Sequence, residues 1–176
     1  MQTVTLREKL YGKISLTLLE AQLRSLCEGL QATVKVVGLT NREWIHVNIS
    51  GEDETAALNL LEDRFSFVPI ELKNVKIGSV QKGKIVDFKK SSREIYVDVG
   101  IFIPRSIDAS ISLQHLQAQL TNGKKLPLRH IAKLFGLTDN FPLKIMLKRL
   151  DTEQRFVAEL SEKQIALFSE WTSSNL

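Results

Sequence analysis

The chain has 176 residues, of which 43% are hydrophobic and 25% charged, a length that suits one large domain or two small ones with an ordinary core. Its single cysteine, Cys27, excludes an internal disulfide framework and a zinc site built from several cysteines. No hydrophobic run approaches the ~20 residues of a membrane-spanning helix, and the first residues contain no hydrophobic signal core, so we expect a cytoplasmic protein.

The net charge of +4 is unevenly distributed along the chain. Residues 1–72 contain 7 Lys and Arg against 10 Asp and Glu, a net charge of −3. Residues 73–176 contain 17 Lys and Arg against 10 Asp and Glu, a net charge of +7. The second half would therefore attract a polyanion, although a solvated basic surface explains the charge alone equally well.

Residues 1–72 predict a ferredoxin-like α/β domain with the element order β-α-β-β-α-β. Val4 and Leu6 belong to the first strand, and leucines at helical spacing predict the first helix, whose end Gly29 marks. Residues 33–37 and 44–49 predict a pair of strands around a turn at 38–41. The leucines of the first helix are Leu16, Leu19, Leu23, Leu26 and Leu30.

A second helix and a last strand complete this domain. Ser50, with an acid three residues later, has the pattern of a helix cap, and acidic residues fill the first turn. The last strand contains Pro69, which lacks a backbone donor and is typical of an edge strand. The helix is predicted to bury Ala57, Leu60, Leu61 and Phe65, and the strand alternates through Val68, Ile70 and Leu72.

After a short linker at 73–76, short alternating strands separated by Gly, Ser and Asp turns predict a closed β-barrel over residues 77–161. Its first hairpin turns at 89–92, and residues 112–140 interrupt the strands with two short helices, the second of which ends at Gly136. In that second helix, basic residues oppose an apolar side made of Leu128, Ile131 and Leu134. Ser161 is predicted to cap a final helix over 162–176.

The barrel signals resemble the RNA-binding OB barrel named after ribosomal protein S-one. The residues that carry the resemblance are Gly83-Lys84-Ile85, Tyr96-Val97-Asp98-Val99-Gly100, Ile111-Ser112, Leu150-Asp151 and Leu160-Ser161. The resemblance implies a five-stranded barrel that binds RNA. Arg93 and Ser110 stand where that family usually places an aromatic residue and a histidine, so we expect contact with the phosphate backbone rather than strong base recognition.

The predicted RNA-binding residues are basic, with Tyr96 as the single base-stacking ring. Lys82 and Lys84 alternate with Gly83 and therefore leave the barrel on one side; we expect them to share a face with Tyr96 and Lys148. Solvated lysines and a ring that covers the barrel are the simpler interpretations. The barrel residues are Lys82, Lys84, Lys89, Lys90, Arg93, Tyr96, Lys144, Lys148 and Arg149, and the insertion adds Lys124, Lys125, Arg129 and Lys133.

The first domain offers a different kind of surface. Its strand 44–49 is expected to turn alternate residues towards the helices and the others towards the open side of the sheet. Trp44 and His46 are predicted to contact a protein, or Trp44 the barrel, because this half is acidic and has no other aromatic signature of an RNA-binding sheet. The inward residues are Ile45, Val47 and Ile49, and the outward residues are Trp44, His46 and Asn48.

Taken whole, the chain resembles the archaeal family known as domain of unknown function twenty-one-ten, a resemblance that implies no particular activity. The order of an α/β module and a barrel is also similar to the archaeal RNA-polymerase stalk subunit, which is an analogy of architecture. The family resemblance is carried by Gly38-Leu39-Thr40, Ser50-Gly51-Glu52-Asp53, Ala57-Leu58-Asn59-Leu60-Leu61, Val97-Asp98-Val99-Gly100-Ile101, Asp139-Asn140-Phe141-Pro142-Leu143 and Glu159-Leu160-Ser161.

These features favour a non-enzymatic RNA-binding protein. The alternative is a protein-interaction adaptor of the ribosome, RNA polymerase or RNA-decay machinery, in which the acidic first domain makes the contact. A nuclease or RNA-modifying enzyme is the third hypothesis. We expect no catalytic residue, metal or cofactor, because His46, His115 and His130 lack metal-ligand spacing and no phosphate loop or nucleophile motif is present.

Overall fold

The computed structural model describes residues 1–11 and 15–174, which form two compact units. The first unit runs from Met1 to Val68 and the second begins at Pro69. The division therefore falls earlier than the predicted boundary at Leu72. The reason is that residues 70 and 71, expected to close the first sheet, pair with a strand of the second unit instead.

The first unit is a three-stranded antiparallel sheet with two helices. Its buried residues include Ile45, Val47 and Ile49, which face the hydrophobic core as the alternation of this strand predicts. The strands lie in the order β1-β3-β2. The elements are β1 (Gln2–Lys9), α1 (Leu16–Leu26), β2 (Ala32–Leu39), β3 (Trp44–Gly51) and α2 (Glu54–Phe65).

The second unit contains a closed barrel of five strands, an additional two-stranded parallel pair, and three helices. The barrel order is β10-β8-β6-β5-β9, and β8 and β10 are parallel whereas the other neighbours are antiparallel. The elements are β4 (Ile70–Glu71), β5 (Val80–Val86), β6 (Glu94–Asp98), β7 (Ile101–Ile103), β8 (Asp108–Ser112), α3 (Leu113–Leu120), α4 (Leu128–Phe135), β9 (Pro142–Leu150), β10 (Phe156–Leu160) and α5 (Glu162–Ser174).

The last strand predicted for the first unit is reduced to a short contact. Val68 N–H donates to the Thr5 carbonyl at 3.0 Å, and Arg7 N–H donates to the Ser66 carbonyl at 2.9 Å, so residues 66–68 line the outer edge of β1. The ladder stops at Pro69, which has no N–H to donate. The predicted strand through Leu72 is therefore wrong: β4 pairs with β7, and a 3₁₀ turn begins at Leu72.

One helix prediction in the first unit is confirmed and one needs correction. Helix α1 forms where the leucines predict it and buries Leu23, whereas Leu16 and Leu26 are 40% and 39% exposed. Ser50 does not cap α2, because β3 continues through Gly51 and Asp53 takes the cap position. The Asp53 carboxylate instead accepts a hydrogen bond from Gln31 N–H at 2.7 Å.

The free edge of β2 is covered by two side chains of α1. Glu20 Oε2 accepts a hydrogen bond from Val36 N–H at 2.9 Å, and Arg24 Nε donates to the Val34 carbonyl at 3.2 Å. The two side chains also form an ion pair at 2.8 Å. Backbone groups that would otherwise recruit another strand are thus satisfied inside the unit.

Helices α3 and α4 form the predicted insertion between β8 and β9, and both contribute to the barrel core. Leu128, Ile131 and Ala132 of α4 are buried, whereas Leu134 is 63% exposed, so the predicted apolar side of this helix is rotated. The confirmed Ser161 cap of α5 accepts a hydrogen bond from Gln164 N–H at 3.2 Å. Within the described residues, no helix combines the length and apolar character needed to cross a membrane.

Strand β5 packs closely against β6 at Gly83, and a substitution at this glycine tests the packing of the barrel. A Cβ atom there would lie 2.5 Å from the Asp98 carbonyl oxygen and 2.6 Å from Val97 Cγ1. We expect Gly83→Ala to lower the free energy of unfolding by roughly 1–3 kcal/mol, measured by urea denaturation, because neither obstacle is a flexible side-chain end. Gln114→Ala, at an exposed position of α3, is the control; equal denaturation midpoints for the two variants would contradict the close contact.

Candidate nucleic-acid interface

Tyr96 lies on the outer face of β6, where it is opposite Val86 of β5 and Ser110 of β8. Its phenol donates a hydrogen bond to Glu94 Oε1 at 2.6 Å, and Lys90 Nζ lies 5.1 Å from the centre of its ring. The hydrogen bond to Glu94, followed by burial, raises the pKa of Tyr96, so the phenol stays neutral at physiological pH. The ring is therefore positioned and half-buried, with one cation already beside it.

The loop that joins β5 to β6 is held in place by its own hydrogen bonds. Asp87 adopts a left-handed backbone conformation with φ of 48°, which starts the 3₁₀ turn Phe88–Lys90. The Phe88 N–H donates to Asp139 Oδ1 at 2.8 Å, and the Arg93 N–H donates to Ser91 Oγ at 3.1 Å. These bonds satisfy backbone donors and leave the side chains of Lys89, Lys90 and Arg93 exposed.

Beside this loop and the start of α4 lies a cavity of about 420 Å³, which we name the loop groove. Lys89 and Arg129 are the cations in its wall, and no carboxylate occurs among the described residues that line it. The predicted basic residues of the barrel and of the insertion therefore meet at this point. The loop groove is lined by Phe88, Lys89, Ser91, Ser92, Pro127, Leu128 and Arg129.

A second basic area lies on the outer faces of β5 and β9. Lys82 of β5 stands directly opposite Lys144 of β9, and both are exposed. Lys84 stands opposite Asp98 on the other neighbouring strand. The paired positions of Lys82 and Lys144 therefore concentrate positive charge on the outer face of β5 and β9.

Lys148 and Arg149 lie near the end of β9. Lys148 forms an ion pair with Glu159 at 2.9 Å. The neighbouring Leu147 exchanges backbone hydrogen bonds with Gly78 and Ser79, at the end of β5 remote from Tyr96. Round the other side of the closed barrel, Tyr96 is opposite Ser110 of β8, Ser110 is paired with Val157 of β10, and Val157 is opposite Arg149. That Tyr96, Lys82, Lys84 and Lys148 share one face of the barrel stays a prediction.

The remaining basic residues of the insertion are exposed on its surface. Lys133 lies one turn after Arg129 on α4, so the two share a side of that helix. Lys124 and Lys125 lie in the connection between α3 and α4. Of the predicted insertion residues, Arg129 alone lines the loop groove.

Two contributors to this surface were not predicted from the sequence. Phe88 supplies a second ring beside the lysines; an aromatic residue flanked by Asp87 and Lys89 in a turn is the signal that could have found it. Arg155 lies near enough to Glu94 and Tyr96 to affect their electrostatics, but its guanidinium also pairs with Asp151 and Glu153 at 3.3 and 3.1 Å. Arg155 is therefore held by its own turn.

In the first unit, the surface expected around Trp44 is less open than the sequence suggests. Trp44 is 1% exposed, and Lys9 Nζ lies 4.7 Å from the centre of its ring. His46 is half-buried, with its Nδ1 2.7 Å from Thr5 Oγ1. The role of Trp44 and His46 in a protein contact stays a prediction.

Comparison with known protein families finds two matches along the chain. The DUF2110 N-terminal domain matches residues 3–70, and the DUF2110 central domain matches residues 75–172. The chain belongs to the DUF2110 family. This confirms the family resemblance seen in the sequence, and every residue of the loop groove lies in the DUF2110 central domain. Comparison with curated proteins gives no match.

The closed five-stranded barrel is present, whereas its resemblance to the S-one type stays a prediction.

The β9–β10 turn of the DUF2110 central domain is organised by one carboxylate. Asp151 Oδ1 accepts hydrogen bonds from the backbone N–H groups of Glu153 at 2.9 Å and Arg155 at 2.8 Å. Its Oδ2 lies 3.3 Å from Arg155 Nε. The backbone hydrogen bond from Arg155 is the largest of the effects that lower the pKa of Asp151.

The lowered pKa of Asp151 predicts how stability depends on pH. Stabilisation by this carboxylate is complete above its unfolded pKa of about 3.9 and is lost as pH falls through the lower native pKa. At pH 7 we therefore expect Asp151→Asn to unfold at a lower urea concentration than the wild type, with a difference that shrinks below about pH 4. Glu153→Gln, at a more exposed acid of the same turn, is the control. A difference that grew on acidification would contradict this assignment.

Proposed function

We propose that this protein is a non-enzymatic RNA-binding protein that contacts the phosphate backbone at the basic surface around the β5–β6 loop. The observation that carries the proposal is the meeting of Lys89 and Arg129 in a cavity wall without a carboxylate, next to Lys90 and Tyr96. Cations without internal partners are available to phosphates, and a ring beside them can stack a base.

The charges in and around the loop groove support the same proposal. Lys89, Lys90 and Arg129 form no ion pair with any described residue, so an RNA phosphate would not compete with a carboxylate for them. The opposed Lys82 and Lys144 add positive charge on the outer face of β5 and β9. The net charge of +7 after residue 72 adds attraction over a longer range.

We also infer a more specific fold class for each of the two units. The strand order of the barrel, with its single parallel pair between β8 and β10, supports an OB-type barrel whose loops often bind oligonucleotides. In the first unit, residues 66–68 occupy the outer edge of β1. This position supports a ferredoxin-like fold with a shortened fourth strand.

The proposal predicts binding of single-stranded RNA that weakens steeply with salt. Fluorescence anisotropy of labelled RNA, repeated at several salt concentrations, gives the slope of log affinity against log salt, which is about −0.7 for each phosphate neutralised on a single strand. We expect the triple variant Lys89→Gln, Lys90→Gln and Arg129→Gln to bind less tightly and to make this slope shallower by roughly 2.

A control triple variant with the same loss of charge distinguishes binding at the loop groove from general electrostatic attraction to the protein. Lys73→Gln, Lys76→Gln and Lys163→Gln remove three exposed charges of the second unit away from the loop groove. An equal loss of affinity in both triple variants, or no binding by the wild type at low salt, would refute the proposal. In the second case, partners that an affinity pulldown retains after nuclease treatment would favour the protein-interaction adaptor.

A further inference from the structure

We propose that the loop groove takes one unpaired nucleotide of the RNA, with its base against Phe88 and its phosphate between Lys89 and Arg129. The protein would then select single-stranded over double-stranded RNA. This inference rests on the proposed function and adds the form of RNA that the site accepts.

The size and lining of the loop groove fit a nucleotide. Its volume of about 420 Å³ lies within the range of roughly 300–1,000 Å³ that is typical of small-ligand sites. Leu128 and Pro127 give an apolar wall beside Phe88, and two serine hydroxyls add hydrogen-bonding groups. A flat base with a charged phosphate needs this mixture of apolar and cationic groups.

Phe88 is suited to stacking because its position is fixed. Its backbone N–H is bonded to Asp139 Oδ1 at 2.8 Å, and its half-buried side chain packs against the barrel core. A ring that is already ordered loses little conformational entropy when a base stacks on it. Stacking is tolerant of sequence, since every base has a π-face.

The two cations lie where a phosphate attached to that base could reach them. Lys89 and Arg129 are exposed and line the same cavity from two different elements, the loop and α4. The planar guanidinium of Arg129 can donate two parallel hydrogen bonds to one phosphate, and Lys89 adds a point charge.

The loop groove is connected to Tyr96 through the β5–β6 loop. Ser91 lines the groove, and the neighbouring Lys90 Nζ lies 5.1 Å from the centre of the Tyr96 ring. Two rings, Phe88 and Tyr96, therefore flank one loop. Bases in a duplex are paired and stacked on each other, so only an unpaired strand can offer bases to both rings.

The test compares a short single strand with a duplex of the same sequence. The single strand carries the fluorescent base 2-aminopurine, whose emission falls when it stacks. We expect the wild type to bind the single strand more tightly and to quench it. Phe88→Leu keeps apolar bulk but removes the ring, and should weaken single-strand binding by roughly tenfold, abolish the quenching and leave duplex binding unchanged. Phe88→Tyr keeps an aromatic ring and should bind and quench the single strand as the wild type does. Phe135→Leu is the matched control outside the groove.

A second variant tests the loop groove without changing a side chain that packs against the core. Ser92 is exposed in the loop, so Ser92→Glu introduces a carboxylate into the groove wall without disturbing the core. We expect it to weaken single-strand binding far more than Ser106→Glu, at an exposed position outside the groove. Wild-type affinity and quenching in both Phe88→Leu and Ser92→Glu would overturn this inference while leaving RNA binding intact. Absence of any RNA binding by the wild type would overturn the proposed function as well.

Discussion

The barrel depends on strand β5, which pairs with two neighbouring strands. The first part of β5, from Val80 to Lys84, pairs with β9, and the part from Lys84 to Val86 pairs with β6. The changeover falls beside Gly83, where a side chain would collide with the backbone of β6. The close approach at Gly83 therefore lies where β5 joins its two neighbours and closes the sheet into a barrel.

Closure of the barrel gives its inner and outer faces different kinds of side chain. Inward positions such as Ile85, Val97 and Leu143 are taken by the core, so charged residues of the same strands can only project outwards. The insertion then places Arg129 beside Lys89, although forty residues separate them in the sequence. The basic surface is therefore a consequence of the topology, since no single segment contains it.

The sequence predicts best what depends on local periodicity. Alternation identified the barrel strands and the inward side of β3, because burial on one face imposes a period of two on a strand. It could not identify the partner of a strand: residues 70 and 71 have the pattern of a strand, but they pair with β7 after Pro69 interrupts the first ladder.

The candidate site is predicted from the sequence only in part, for the same reason. The composition indicates where the cations are, but whether each one is available depends on tertiary neighbours. Lys148 is paired with Glu159, whereas Lys89 borders a cavity without a carboxylate. Phe88 was missed because aromatic residues were expected on the strands, where the resemblance places them, and its role arises from the contact between a loop and a helix.

The hydrogen bonds that the acidic residues accept explain why the proposed interface would bind RNA without recognising its sequence. Glu94 accepts from the Tyr96 phenol, Asp139 accepts from the Phe88 backbone, and the Asp151 carboxylate holds its own turn. Base-specific recognition needs acceptors and donors in fixed pairs at the base edges. Because these acceptors stabilise the loops internally, the loop groove is lined by cations, hydroxyls and apolar groups, which would recognise features that every nucleotide shares.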